Sequence, residues 1–211
     1  MLTTSRIRRL TVIGSLNMDL VIHANAVPRP GESLLGHSFD TGLGGKGSNQ
    51  AVACYRLGDD VALAGKVGND LFGDRIVSEL ANEGLDLTNV QRSSDAATGV
   101  AFIIIEPSGQ NRIIAVPGAN LTFTADDVSA MASCISDSKM LLLQLEIDFA
   151  ATKRAVEVAF DADIPVANIR GIVPGHIAEI VERRQVCRNG QISNRQNAPR
   201  QIGVFFAQCH Q

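Results

Sequence analysis

Along the first 165 residues the apolar positions switch between two periods, and the switching predicts strands interleaved with helices. Leu10 to Gly14 (LTVIG) predicts a short buried strand. After polar Ser15 to Asn17, MDLVIHA (18–24) predicts a second extended piece, and PRPGE (28–32) a loop. Glycines open and close a predicted helix from Gly45 to Gly58, and VALAGKVG is the next buried strand. Leu71, Phe72, Ile76, Val77 and Leu80 recur at helical spacing between Asp70 and Glu83, and Gly84 stops the run. VAFIIIE, PSGQN and RIIAV predict a hairpin over Val100 to Val116. Thr124 with Asp127 three residues on predicts a capped helix running to about Cys134. MLLLQLE (140–146) predicts a central strand, with a helix over 150–160 after it. The order implies an α/β fold: a parallel sheet with helices on both faces, and a smaller sheet, holding the hairpin, set apart from it.

Past about Val166 the periodicity stops. The last Asp is Asp163, the last acidic residue is Glu182, and the closing stretch is rich in Arg, Gln and Asn. Such a tail buries too little apolar surface to offset its ordering entropy, so residues 167–211 are expected to pack poorly.

Composition narrows the function classes. With 211 residues, 45% apolar and a net charge of -3, the chain is of roughly one-domain size. Scattered Lys and Arg argue against a nucleic-acid footprint, and no stretch reaches the ~18 apolar residues of a membrane span. The start MLTTSRIRRL shows no secretory pattern. Cys54, Cys134, Cys187 and Cys209 lie far apart with no CxxC pair, which fits neither a zinc site nor a disulfide framework and points to a reducing cytoplasm. These cysteines are expected to be small core residues, and His23 and His37 surface or lid residues.

The candidate chemistry lies in DTGLGGKGSNQA (40–51), where Gly42, Gly44, Gly45 and Gly47 surround Lys46 and Asn49 sits just inside the next helix. Glycines admit a ligand close to the backbone, and a helix start offers unpaired N–H groups, a combination suited to hydroxyls or an anion. Gly42, Gly44 and Gly47 spell GxGxxG, but Asp59 and Asp60 precede the next strand instead of ending it, which weakens a dinucleotide reading. A P-loop would need Gly at Asp40 and Ser or Thr at Gly47, and a protein-kinase loop would need Val at Asn49.

The run Gly44-Gly45-Lys46-Gly47-Ser48-Asn49-Gln50-Ala51, followed by Gly58 and Gly68 at fixed distances, resembles the first signature of the pfkB carbohydrate-kinase family. GSLNMD (14–19), PGE (30–32), TGVA (98–101), GAN (118–120) and QLE (144–146) are similar to its ribokinase branch, over roughly residues 10–165. The resemblance implies a doubly wound sandwich with a small β-sheet lid, assigned to about 18–45 and 98–118 within a unit of 1–166, and a dimer formed through the lids. It also implies ATP-dependent, Mg²⁺-assisted phosphorylation of a sugar, ribose at O5 in ribokinases. Carried over by position, Asn17, Asp19, Gly44, Gly45, Lys46, Asn49 and Glu146 become the sugar-binding candidates. Thr98 and Gly99 are balanced between site and strand start.

The family's late GAGD run, whose Asp accepts the proton of the attacking hydroxyl, and its NxxE motif have no match here; Asn168-Ile-Arg-Gly stands where the family continues Asn-Pro-Ala-Pro. No catalytic residue is therefore assigned, most nucleotide-binding positions of the family are expected to be missing, and the chain reads as a truncated, inactive member. A frame change near Val166 would account for the pattern. The alternatives are a non-catalytic sugar-binding remnant, a kinase for adenosine, 2-deoxyribose or fructose 6-phosphate, and, resting on GxGxxG alone, an oxidoreductase.

Overall fold

A computed structural model describes residues 9–168. The polar tail from residue 169 onward, with Cys187 and Cys209, and the first eight residues lie outside the described part.

Among the described residues nine strands form two sheets. The first is all parallel, in the order β5 (Asp86–Ser93), β4 (Val61–Gly68), β1 (Leu10–Ile13), β8 (Met140–Leu143) and β9 (Val166–Asn168). Side chains two apart on a strand share a face, and β1 divides accordingly. Leu10 and Val12 join a core completed by α1 (Lys46–Arg56) and α2 (Leu71–Asn82), while Ile13 joins the opposite core beneath α3 (Ala125–Ala130), α4 (Ala132–Ser136) and α5 (Phe149–Asp161). With helices on both faces, β1 and most of β4 are buried throughout, which is why they read as continuous apolar runs.

The second sheet has the order β3 (Ser38–Gly44), β2 (Asn17–His23), β6 (Gly99–Ile105) and β7 (Asn111–Val116). β2 runs parallel to β6 and antiparallel to β3, and β6 and β7 form the hairpin. Only Gly14 to Leu16 separate β1 from β2, the shortest of the links between the two sheets among the described residues.

Local chemistry accounts for the helix ends. Asp70 caps α2 by accepting from Gly73 N–H, and Thr124 and Asp127 form a reciprocal capping box at α3. Asp148 caps α5.

Four features differ from the sequence reading. The strand expected over 140–146 ends at Leu143, so Glu146 lies beyond the strand and not at its end. The helix expected from Thr124 to Cys134 breaks at Met131 into α3 and α4. β9 carries regular structure to Asn168, past the boundary drawn at Val166. β3 and β5 were not anticipated, and β3 bears on the rival motif: the strand ahead of the glycines belongs to the second, mixed sheet, so α1 does not follow a strand of the parallel sheet as a dinucleotide βαβ unit requires.

Candidate functional site

The site gathers where β1 hands over to β2, at the start of α1. Helix α1 begins after Gly45, whose φ of 93° is a left-handed conformation that suits glycine. A Cβ there would also stand 2.5 Å from the Ser15 carbonyl oxygen, and one at Gly47 would stand 2.6 Å from the carbonyl carbon of Gly14. These two glycines let the helix start lie directly on the β1–β2 link. Ser15 Oγ then accepts from the Lys46 N–H at 2.9 Å, and the Ser15 carbonyl accepts from the Ser48 N–H at 3.2 Å. Two of the free donors of the first helical turn are thereby satisfied.

Glu146, on the turn between β8 and α5, reaches the same point. Its Oε1 pairs with Lys46 Nζ, and its Oε2 accepts from Ser15 Oγ at 2.6 Å. Burial pushes the Glu146 carboxyl up, but the hydrogen bonds from Lys46 and Ser15, with the Lys46 charge, more than offset it, and the group ends below the usual carboxylate range.

Asp19 behaves in the opposite way. Burial, and behind it the negative charge of Glu146, hold its carboxyl above the ordinary range. It packs against Gly44, where a Cβ would run into the carboxylate, and among the described residues it has no hydrogen-bond or ion-pair partner. Its cross-strand neighbours Gly42 and Ala101, and Ala115 beyond, are small. Asn17, two residues earlier and so on the same face, sits between Gly44 and Gly99. Its Oδ1 accepts from Asn120 Nδ2 at 2.7 Å, which leaves its own amide hydrogens without an acceptor among the described residues. Asn49 lies on the exposed side of the first turn of α1, with no side-chain partner among the described residues; the cap is Gly45 and not Asn49.

The structure thus brings Lys46 and Glu146 into direct contact, sets Asp19 on Gly44 close enough to feel the Glu146 charge, and places Asn49 three residues along α1 from Lys46. Thr98 is occupied otherwise. It is buried, gives its hydroxyl and N–H to Asp70, each at 2.7 Å, and accepts from Gly68 N–H at 2.9 Å. Burial raises the Asp70 carboxyl, and the hydrogen bonds from Thr98, Gly73 and Phe72 outweigh it and hold it low. That cluster gives Gly68, the last glycine of the signature, a structural duty.

Two residues the sequence reading quoted without assigning a role prove central. Ser15 links Lys46 to Glu146 as described. Asn120 is wholly buried, accepts from Leu16 N–H at 2.8 Å, and donates to the carbonyls of Leu16 and Pro117, so it pins the link between the sheets. The short motifs GSLNMD and GAN were the only signal for either.

The polar groups at this site are two carboxylates that accept, one already held by an ammonium and a hydroxyl, together with amides. That set suits neutral hydroxyls and does not resemble the oxygen shell of Mg²⁺ or a phosphate cradle. The described residues present here do not fit the nucleotide or its metal.

Comparison with known proteins agrees with the fold. The pfkB family carbohydrate kinase pattern matches residues 7–169, and the chain belongs to this family. Mouse (Mus musculus) ribokinase is 42% identical over 150 residues, covering 71% of this chain and 46% of that protein. Ribokinase from Schizosaccharomyces pombe is 40% identical over 163 residues, covering 74% and 51%. Arabidopsis thaliana ribokinase, solved with ribose and ATP, superposes with a TM-score of 0.69 at 29% identity, over 76% of this chain and 53% of that one. The chain spans about half the length of the relatives it matches.

Proposed function

We propose that the junction of the two sheets is the sugar half of a ribokinase-type site, binding a pentose, ribose first among them, through Asn17, Asp19, Gly44, Gly45, Lys46, Asn49 and Glu146. One observation carries the reading: a half-buried carboxylate, Asp19, has no partner among the described residues and has only small cross-strand neighbours, Gly42 and Ala101. An ionised carboxylate of this kind lacks donors, and a ring of sugar hydroxyls supplies them. The Asn17 and Asn49 amides and the Lys46 ammonium are donors for the hydroxyl oxygens. The four-stranded sheet, over 18–45 and 98–118, acts as the lid, and its exposed β7 side is where a second copy pairs with it.

In the full family reaction ATP with Mg²⁺ supplies the phosphoryl group. In this reading the 211-residue chain contributes sugar binding and orientation without turnover, because its sequence carries no match to the family's late GAGD Asp. Cytoplasmic location and the absence of nucleic-acid or membrane partners belong to the same reading; among the described residues no helix is long and apolar enough to cross a membrane.

Calorimetric titration of the purified chain with ribose, 2-deoxyribose, adenosine and ATP tests it. Ribose binding that Asp19→Ala and Asn49→Ala each weaken by about 1 to 3 kcal/mol is the expected result. Ribose affinity unchanged in both variants rejects the site. Turnover in a coupled assay that Lys46→Ala abolishes rejects the inactivity.

A further inference from the structure

Gln144 is wholly buried, yet its Oε1 finds no hydrogen-bond partner among the described residues. Its Nε2 donates to Gln50 Oε1 on α1. The side chain lies over Gly14, where a Cβ would collide with Oε1. A buried orphan acceptor is destabilising, and an apolar side chain of the same shape would avoid the loss, so fold stability alone does not explain an amide at this position.

The place of the pair supplies an explanation. Gln50 lies one helical turn after Lys46, on the same side of α1, and Gln144 lies two residues before Glu146 on the exit from β8. Four helical residues advance about 6 Å and two residues of extended chain at most about 6.6 Å. Two contacts of nearly equal spacing therefore tie the helix to the β8 exit: Gln50 with Gln144, and Lys46 with Glu146. We infer that Gln144 is a positioning residue, which through Gln50 sets the register of α1 against the β8 exit and so holds Lys46 and Glu146 in the geometry the site requires. Neither amide needs to touch a ligand. The inference rests on the sugar-site reading for its functional consequence, but its geometric content concerns the Lys46–Glu146 pair alone.

The test uses the full chain with Gln144→Leu, Gln50→Leu and both together. Selective ¹³C labelling of glutamate, with Glu146→Gln for assignment, follows the Glu146 carboxyl by NMR titration; the charged groups facing it are Lys46 from α1 and Asp19 from β2. We expect the Glu146 midpoint, below the ordinary carboxyl range in the parent, to move up in each single variant, while thermal stability holds or rises in the double variant. Ribose affinity should fall roughly five- to tenfold, the effect of losing about one hydrogen bond's worth of geometry. An unmoved Glu146 midpoint in folded Gln50→Leu overturns the inference whatever Gln144→Leu does, because the Gln50 side chain is only half-buried and its replacement is the milder change. A midpoint that moves in a parent chain showing no ribose binding upholds the register role and rejects the sugar reading. Unchanged midpoints with ribose binding intact do the reverse.

Discussion

The two sheets share a link of three residues and one core, to which Met18 and Leu20 of β2 contribute beside Leu10 and Val12 of β1, but their remaining surfaces differ. In the five-stranded sheet β1 is buried along its whole length and each face carries its own core. In the four-stranded sheet every residue of β7 is exposed, and Phe39, Phe102, Ile113 and Ile114 present apolar surface to solvent. The first sheet is held by apolar burial on both sides. The second buries Met18 and Leu20 of β2 in the shared core but leaves β7 exposed along its length, so that outer strand is open to contact something else. The candidate ligand groups divide along the same line: Asn17 and Asp19 belong to the second sheet, Lys46 and Asn49 to a helix covering the first, and Glu146 to the exit from its strand β8.

Truncating the same kind of side chain in each sheet should separate them most sharply. Leu63, at the centre of β4, is 0% exposed, and Leu63→Ala should cost about 2 to 5 kcal/mol in denaturant unfolding. A cost below 1 kcal/mol would mean the first sheet is not the stabilising one.

Asp70 comes next. It caps α2 and binds Thr98, the residue before β6, so it ties the helix layer to the second sheet. Asp70→Asn should cost about 1 to 3 kcal/mol near neutral pH. Its carboxyl, like those of Asp127 and Glu146, is held low in the folded chain. A depressed folded value contributes stability above the unfolded pKa that is lost as pH falls through the folded one, so unfolding should set in below about pH 4. In Asp70→Asn that acid limb should be shallower; an identical slope rejects the role given to Asp70.

The folded chain raises the Asp19 carboxyl instead, so the sign reverses. Its charged form disfavours folding near neutral pH, and the penalty fades as pH falls through the folded value. Asp19→Asn should therefore raise the thermal midpoint slightly while weakening ribose binding. A lower midpoint would show that the carboxylate has a partner in the fold. The smallest effect belongs to β7: Ile114, 68% exposed, should tolerate Ser within about 0.5 kcal/mol. Ile114→Ser should also shift sedimentation toward the monomer if the lids pair; sedimentation unchanged from that of an associating parent rejects that pairing.

Legibility in the sequence follows the same division. Helices α1 and α2 were readable because glycines and Asp70 punctuate them, and β1 and β4 because burial on both faces leaves a mostly apolar run interrupted only by Thr11 and Lys66 among its non-glycine positions. β3 was hidden, since SFDTGLG has neither period and its glycines already had a ligand reading. β5 is an edge strand whose sequence DLTNVQRS carries almost no apolar signal. The strand at Met140 was drawn too long because Gln144 is buried like its neighbours, although the chain has already turned to bring Glu146 to Lys46. In the site, motif residues were legible as types, but the duties of Ser15 and Asn120 were not. The contacts that define those duties, Ser15 with Glu146 and Asn120 with Leu16, span more than 100 residues, and no local pattern encodes such a contact.

That distance also has a consequence for the order of folding. Ser15 and Glu146 are separated by 131 residues and Lys46 and Glu146 by 100. The contacts among β1, α1, β4, α2 and β5 are far more local, and the entropy of closing a loop favours the shorter closures. On the ribosome the core beneath α1 and α2 can form while β8 is still unsynthesised. β8 then adds beside β1, and the candidate site is completed only at that late step. A ligand seated between Asp19 and Glu146 would therefore act as a clamp on the docking of β8, stabilising that step by mass action and slowing amide exchange at Leu141 to Leu143 before any other strand of the sheet.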